Sequence, residues 1–154
     1  MVKKAPGRRT VPARRTSALA ADSCPTCGST MSGKSGRLRF PVNGEEILVP
    51  SASHLRCPKC GEIVLRFEDA RRLSTDAIAI YRRKHGLLSA DDIRAMRARF
   101  GLTQRELARL LRLGGNTISR WEAGRNVQTE AMDVLLRLIR DVPGSLEYLR
   151  DHAA

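Results

Sequence analysis

Cys24, Cys27, Cys57 and Cys60 fall in two matched frames, CPTCG and CPKCG. Each is a Cys-x-x-Cys followed by glycine, and 29 residues separate the two pairs. In such a knuckle two thiolates converge on one metal, and nearby backbone N–H groups point at the sulfurs. Gly28 and Gly61 permit the tight turn this requires. Four soft ligands in a tetrahedral set favour one Zn²⁺ per chain. A closed four-thiolate site leaves no coordination position for a substrate, so its expected role is structural. Two disulfides would need an oxidising compartment, and no export signal is apparent. A redox pair needs one Cys-x-x-Cys at a strand-to-helix junction, not two matched frames. His54, three residues before Cys57, is a fifth candidate ligand; with four thiolates already present, a loop histidine is the plainer reading.

A second stretch, GGNTISRWEAGR at residues 114–125, has the residue types of a recognition surface. At about 100° per residue, Ile118 and Trp121 share one side of a helix, and Asn116 and Arg120 point the other way. Asparagine pairs bidentately with adenine and arginine with guanine in a major groove. Gly114 and Gly115 are expected to shape the turn before this helix. Gln104, at the start of the preceding helix, is expected to meet phosphate, as are Arg105 and Thr117. The plainer reading of the polar side is a solvated helix face.

The elements that must position these residues can be read around them. Asn43-Gly44, flanked by Phe40 and Val42 before and Ile47 and Val49 after, predicts a β-hairpin with a type I′ turn. A short strand and then a helix follow the second knuckle, with Ile78 and Tyr81 spaced i, i+3 and Gly86 as the stop. Ser89, with Asp91 and Asp92 in the first turn, predicts the next helix start. Thr103 and Glu106 form a capping box ahead of Leu107, Leu110 and Leu111. Met132, Leu135, Leu136 and Ile139 mark a fourth helix after Thr129 in this half, and Pro143-Gly144 separates it from a last turn or two. A helix, a glycine-bearing turn and a second short helix form the helix-turn-helix signature. The predicted fold class is α+β: a small zinc-bound β-hairpin module with a helix, then an all-α five-helix helix-turn-helix domain. The expected division is a basic disordered tail at 1–21, a zinc-binding domain at 22–86, a linker at 87–90 and the helix-turn-helix domain at 91–154.

Charge bears on the partners. The chain of 154 residues has a net charge of +12, a balance that attracts polyanions, nucleic acid foremost. Residues 1–21 carry Lys3, Lys4, Arg8, Arg9, Arg14 and Arg15 and no acid, which is half of that total. No apolar run approaches the roughly 20 residues of a spanning helix, so no membrane partner is expected. Arginines interrupt the place of a signal-peptide core, which argues against secretion; an organelle transit peptide is the lesser reading of this start. The three histidines are scattered, and no Ser/His/Asp or paired-carboxylate frame accompanies the cysteines. The chain is therefore read as a non-enzyme.

LTQRELARLL…GGNTISRWEAG resembles the Cro/repressor-type helix-turn-helix. Joined to the C-P-x-C…C-P-x-C module, residues 24–150 resemble the MqsA (YgiT-type) antitoxins. The resemblance implies a type II antitoxin of the bacterial cytoplasm, associated with the nucleoid when on DNA. Its zinc domain would neutralise a small ribonuclease-type toxin. Its helix-turn-helix domain would dimerise and repress its own operon at a palindromic operator. By the same resemblance Asn116 and Arg120 read bases and Cys24, Cys27, Cys57 and Cys60 hold zinc. Met132, Leu136 and Tyr148 are candidate dimer contacts or core. The alternative is a free-standing helix-turn-helix regulator with a structural zinc and no toxin.

Overall fold

The computed structural model describes residues 22–152; the basic segment 1–21 lies outside the described residues. An antiparallel hairpin leads and six helices follow, so the α+β expectation holds. Strands β1 (Ser32–Val42) and β2 (Glu45–Arg56) form the hairpin, and the short β3 (Ile63–Val64) pairs with the far end of β2. Asn43 (φ 50°) and Gly44 (φ 82°) both take the left-handed conformation that a type I′ turn demands. Val42, Ile47 and Val49 are buried against Leu73, Ala77 and Ile78 of helix α1 (Phe67–Lys84).

The strands run beyond the alternating apolar stretch that predicts them. Residues 32–35 and 51–56 are mostly small or polar, so periodicity does not mark them. Their pairing rests on the backbone ladder, from Val42↔Glu45 out to Ser32↔Arg56. A bulge interrupts it between Gly36 and Leu38, opposite Pro50 and Ser51. Pro50 has no N–H for the ladder, and a bulge is where a central strand tolerates that loss.

The second half holds the five expected helices: α2 (Ala90–Arg99), α3 (Gln104–Leu110), α4 (Thr117–Glu122), α5 (Glu130–Asp141) and α6 (Ser145–His152). Ser89 with Asp92 and Thr103 with Glu106 complete capping boxes on α2 and α3. Ile93, Leu107, Ile118, Trp121, Leu136, Ile139 and Leu146 share one core.

The two halves are joined by more than chain continuity. Val127, from the loop before α5, sits in the core of the hairpin and α1. Arg82 of α1 donates through Nη2 to the carbonyls of Trp121 and Asn126, each at 3.1 Å. Leu88, within the expected linker, is buried in the helical core. Its N–H donates to Asp133 and its carbonyl accepts from Gln128, both at 2.7 Å. Gly124 (φ 65°) lets α4 end against α1, since a Cβ there would meet Thr75 Cγ2 at 3.0 Å. Among the described residues no helix is long and apolar enough to cross a membrane.

Candidate metal centre and nucleic-acid interface

The two knuckles are built alike. Cys24 N–H donates to the Ser29 carbonyl and Gly28 N–H to that of Cys24; Cys57 N–H donates to Glu62 and Gly61 N–H to Cys57. Gly28 (φ 71°) and Gly61 (φ 78°) turn the chain in the same left-handed way. The first knuckle precedes β1 and the second follows β2, so the paired strands deliver both to one end of the hairpin. All four sulfurs lie within 4.8 Å of one another. Cys24 and Cys60 are 3.5 Å apart, as are Cys27 and Cys57. A disulfide has its sulfurs at about 2.05 Å, so these cysteines are unbridged. Thiolates held tetrahedrally at about 2.3 Å from one ion are roughly 3.8 Å apart. The cluster fits that spacing and could bind a metal ion.

The electrostatics are those of thiols crowded together. The Ser29 hydroxyl and amide lower Cys27 to about 6. The Cys60 amide lowers Cys57, against the effect of burial. The Glu62 amide favours the Cys60 thiolate, yet the neighbouring Cys24, burial, Cys57 and Cys27 together push that thiol up to about 12. A cation among the four sulfurs removes the repulsion that opposes the last ionisation. His54 is buried on β2, and its Nδ1 lies 2.9 Å from the Ala52 carbonyl. It is not among the clustered ligands.

At the other site, Ile118 and Trp121 are buried and Asn116 and Arg120 are exposed, as their spacing predicts. Asn116 is the N-cap of α4 and not a helical residue, and its side chain makes no cap bond. Arg120 N–H donates to the Asn116 carbonyl at 3.1 Å, which holds the two residues one turn apart on the same side. Gly114 and Gly115 lie in the turn between α3 and α4, and its left-handed residue is Arg112 (φ 52°); neither glycine has a positive φ. A Cβ on Gly115 would meet nothing, and one on Gly114 only Thr117 Oγ1 at 3.5 Å.

What fixes α4 in place is Glu122, a residue without an assigned role in the sequence reading. It is buried, with Arg97 donating Nε to Oε1 (2.6 Å) and Nη2 to Oε2 (3.0 Å). Gln104 donates Nε2 to the same Oε2 at 2.7 Å, and Arg94 donates to the Glu122 carbonyl at 2.6 Å. Burial alone raises this carboxyl; the bonds from Arg97 and Gln104 and the charges of Arg97 and Arg94 outweigh it and hold the group below its ordinary value. One acid thus ties α2 and α3 to α4. Gln104, expected at phosphate, directs its amide nitrogen inward to this network, whereas Arg105 is exposed and Thr117 half-buried. The signal available in the sequence was a lone acid beside Trp121 at the end of an otherwise basic helix.

Of the candidate dimer residues, Leu136 belongs to the chain's own core, Met132 packs against that core, and Tyr148 is 63% exposed. Val134, Leu138 and Val142 are exposed as well.

Comparison with known proteins covers nearly all of the described chain. Residues 22–150 match the family described as "Antitoxin component of bacterial toxin-antitoxin system, MqsA". The chain is also 31% identical over 64 residues to "Antitoxin HigA-2" of Vibrio cholerae serotype O1, a stretch covering 42% of this chain and 62% of that relative. The knuckles, the helices α2 to α5 and most of α6 thus lie within a match spanning most of the sequence, and the chain belongs to the MqsA antitoxin family of bacterial toxin–antitoxin systems.

Proposed function

We propose that the chain neutralises a small ribonuclease-type toxin through its metal-bearing module and represses its own operon through α3 and α4. The four-thiolate cluster takes zinc, which holds the far end of the hairpin closed. In the bacterial cytoplasm α4 enters the major groove as the second helix of a helix-turn-helix, and a homodimer on a palindrome supplies the second reading helix. The observation that carries the DNA-binding reading is the outward pair of Asn116 and Arg120. Among the described residues neither side chain has a protein partner, while Ile118, Trp121 and Glu122 lock the opposite side of the same helix. An arginine and an asparagine left uncommitted on a rigid support suit base edges. Arg105 and Thr117 flank that pair as phosphate contacts, and Gln104 supports it from behind.

The test separates the two activities. The Asn116→Ala/Arg120→Ala double variant is co-expressed with the reading frame beside this gene, and operator binding is measured by footprinting. The expected result is loss of the footprint with growth rescue intact. An unchanged footprint would overturn the DNA-reading role of α4. Absence of rescue and of a co-purifying complex with the unaltered chain would make it a free-standing regulator.

A further inference from the structure

Beside the contact between the two halves lies a cleft of about 340 Å³, walled by α1, the 87–90 segment, the start of α2 and Gly124. That size is in the range of small-molecule sites, about 300–1,000 Å³. None of the cysteines or of the residues assigned to DNA lines it. Ile78, Ala79 and Leu87 give it a largely apolar lining, with Arg82 and Arg83 at its cationic side. Arg82 is only 2% exposed, and Nη2 finds protein acceptors. Its Nε is buried with no partner. A buried guanidinium short of acceptors is costly unless something supplies them. The Arg83 side chain has no partner among the described residues. The acid on the rim, Asp91, is already paired with Arg94 at 2.7 Å.

We propose that this cleft binds a small amphipathic carboxylate, its head against Arg82 and Arg83 and its apolar body along Ile78, Ala79 and Leu87. A carboxylate supplies the acceptors the guanidinium lacks. A compact polyanion such as phosphate leaves the apolar walls facing water and meets Asp91 as a second negative charge. The occupant touches α1 on one side and α2 with Gly124 on the other, so it clamps the metal-bearing module to the helical domain.

The experiment titrates metal-loaded, full-length protein with octanoate, with octanamide as the uncharged match and inorganic phosphate as the compact anion. Calorimetry and melting temperature are the readouts. Octanoate is expected to saturate and, at a hundredfold excess over its Kd, to raise Tm by about 5–10 °C. Octanamide and phosphate should bind at least about tenfold more weakly, since one charge-assisted pair is worth about that factor. Arg83→Gln, on an exposed side chain, should weaken octanoate about fivefold or more, and Ala79→Phe, which fills the cleft, should abolish its binding. No saturation, equal binding of octanamide, tighter binding of phosphate, or octanoate affinity unchanged in Arg83→Gln would each overturn the proposal.

Discussion

Replacing Glu122 with glutamine should loosen the support of α4 without altering its outward face. In the structure three N–H groups, two from Arg97 and one from Gln104, converge on two carboxylate oxygens. An amide offers one oxygen, so at least one donor then faces an NH₂ group. The charge that balances Arg97 is lost as well. Removing one partner of a buried pair costs about 3–5 kcal/mol. Arg97 retains its bond to the Leu102 carbonyl and keeps 18% of its side chain exposed, so water relieves part of this. About 2–4 kcal/mol is the expected loss at pH 7, or roughly 5–15 °C in Tm for a chain of this size. The sign with pH follows from the lowered carboxyl. Its contribution is fully present above the unfolded value near pH 4.3 and fades as pH falls through the lower folded value. Urea melts of both proteins between pH 7 and pH 3 should therefore show a gap that narrows on acidification. A loss under about 0.5 kcal/mol at pH 7, or a gap independent of pH, would refute the assignment of Glu122 as the tie between α2, α3 and α4.

Four further outcomes are expected. Cys57→Ser should release the metal, measured as one ion per chain by native mass spectrometry in the parent protein; disulfides in freshly purified parent protein would contradict this. Arg120→Ala should cost about 1–3 kcal/mol at the operator with an unchanged far-UV spectrum. Gly124→Ala should destabilise by more than about 1 kcal/mol, from its φ of 65° and the 3.0 Å approach to Thr75, while Gly115→Ala stays within about 0.5 kcal/mol, as thermal melts can show. Deleting residues 1–21 removes six positive charges. It should weaken binding to all DNA sequences and make the salt dependence shallower.

Local chemistry explains which features could be read directly. The paired Cys-x-x-Cys-Gly frames, Asn43-Gly44 and the Ser89 and Thr103 caps depend on neighbouring residues, so a linear string displays them. Ile118 and Trp121 followed from the helical period alone. Partners far apart in the chain were invisible. Glu122 meets Arg97 across 25 positions, and Arg82 meets Asn126 across 44. Leu88 looked like linker because its partners, Asp133 and Gln128, lie on and beside a helix some 40 positions away. The α3–α4 turn was legible in part. Two glycines mark its place, but its left-handed residue is Arg112, and residue type shows only where strain is cheap.

The four-cysteine cluster and the Asn43-Gly44 turn sit at opposite ends of the same hairpin, eleven residues of β1 apart, or about 36 Å at 3.3 Å per residue. At the turn end Glu45 is gripped by Lys84, the last residue of α1, and by its C-cap His85, and the neighbouring Val42 and Ile47 share a core with Val127. At the cluster end the core is little more than Met31, Leu55 and the cysteines themselves. Stability along the hairpin is therefore graded, and the molecule behaves as a zipper with a single clasp. Loss of a metal bound there should open it from the clasp, exposing Asp22 to Ser35 to proteases and amide exchange while the teeth beside α1 remain closed. A metal held by the four cysteines would be that clasp, and its loss would shorten the life of the first module before it touched the helical half.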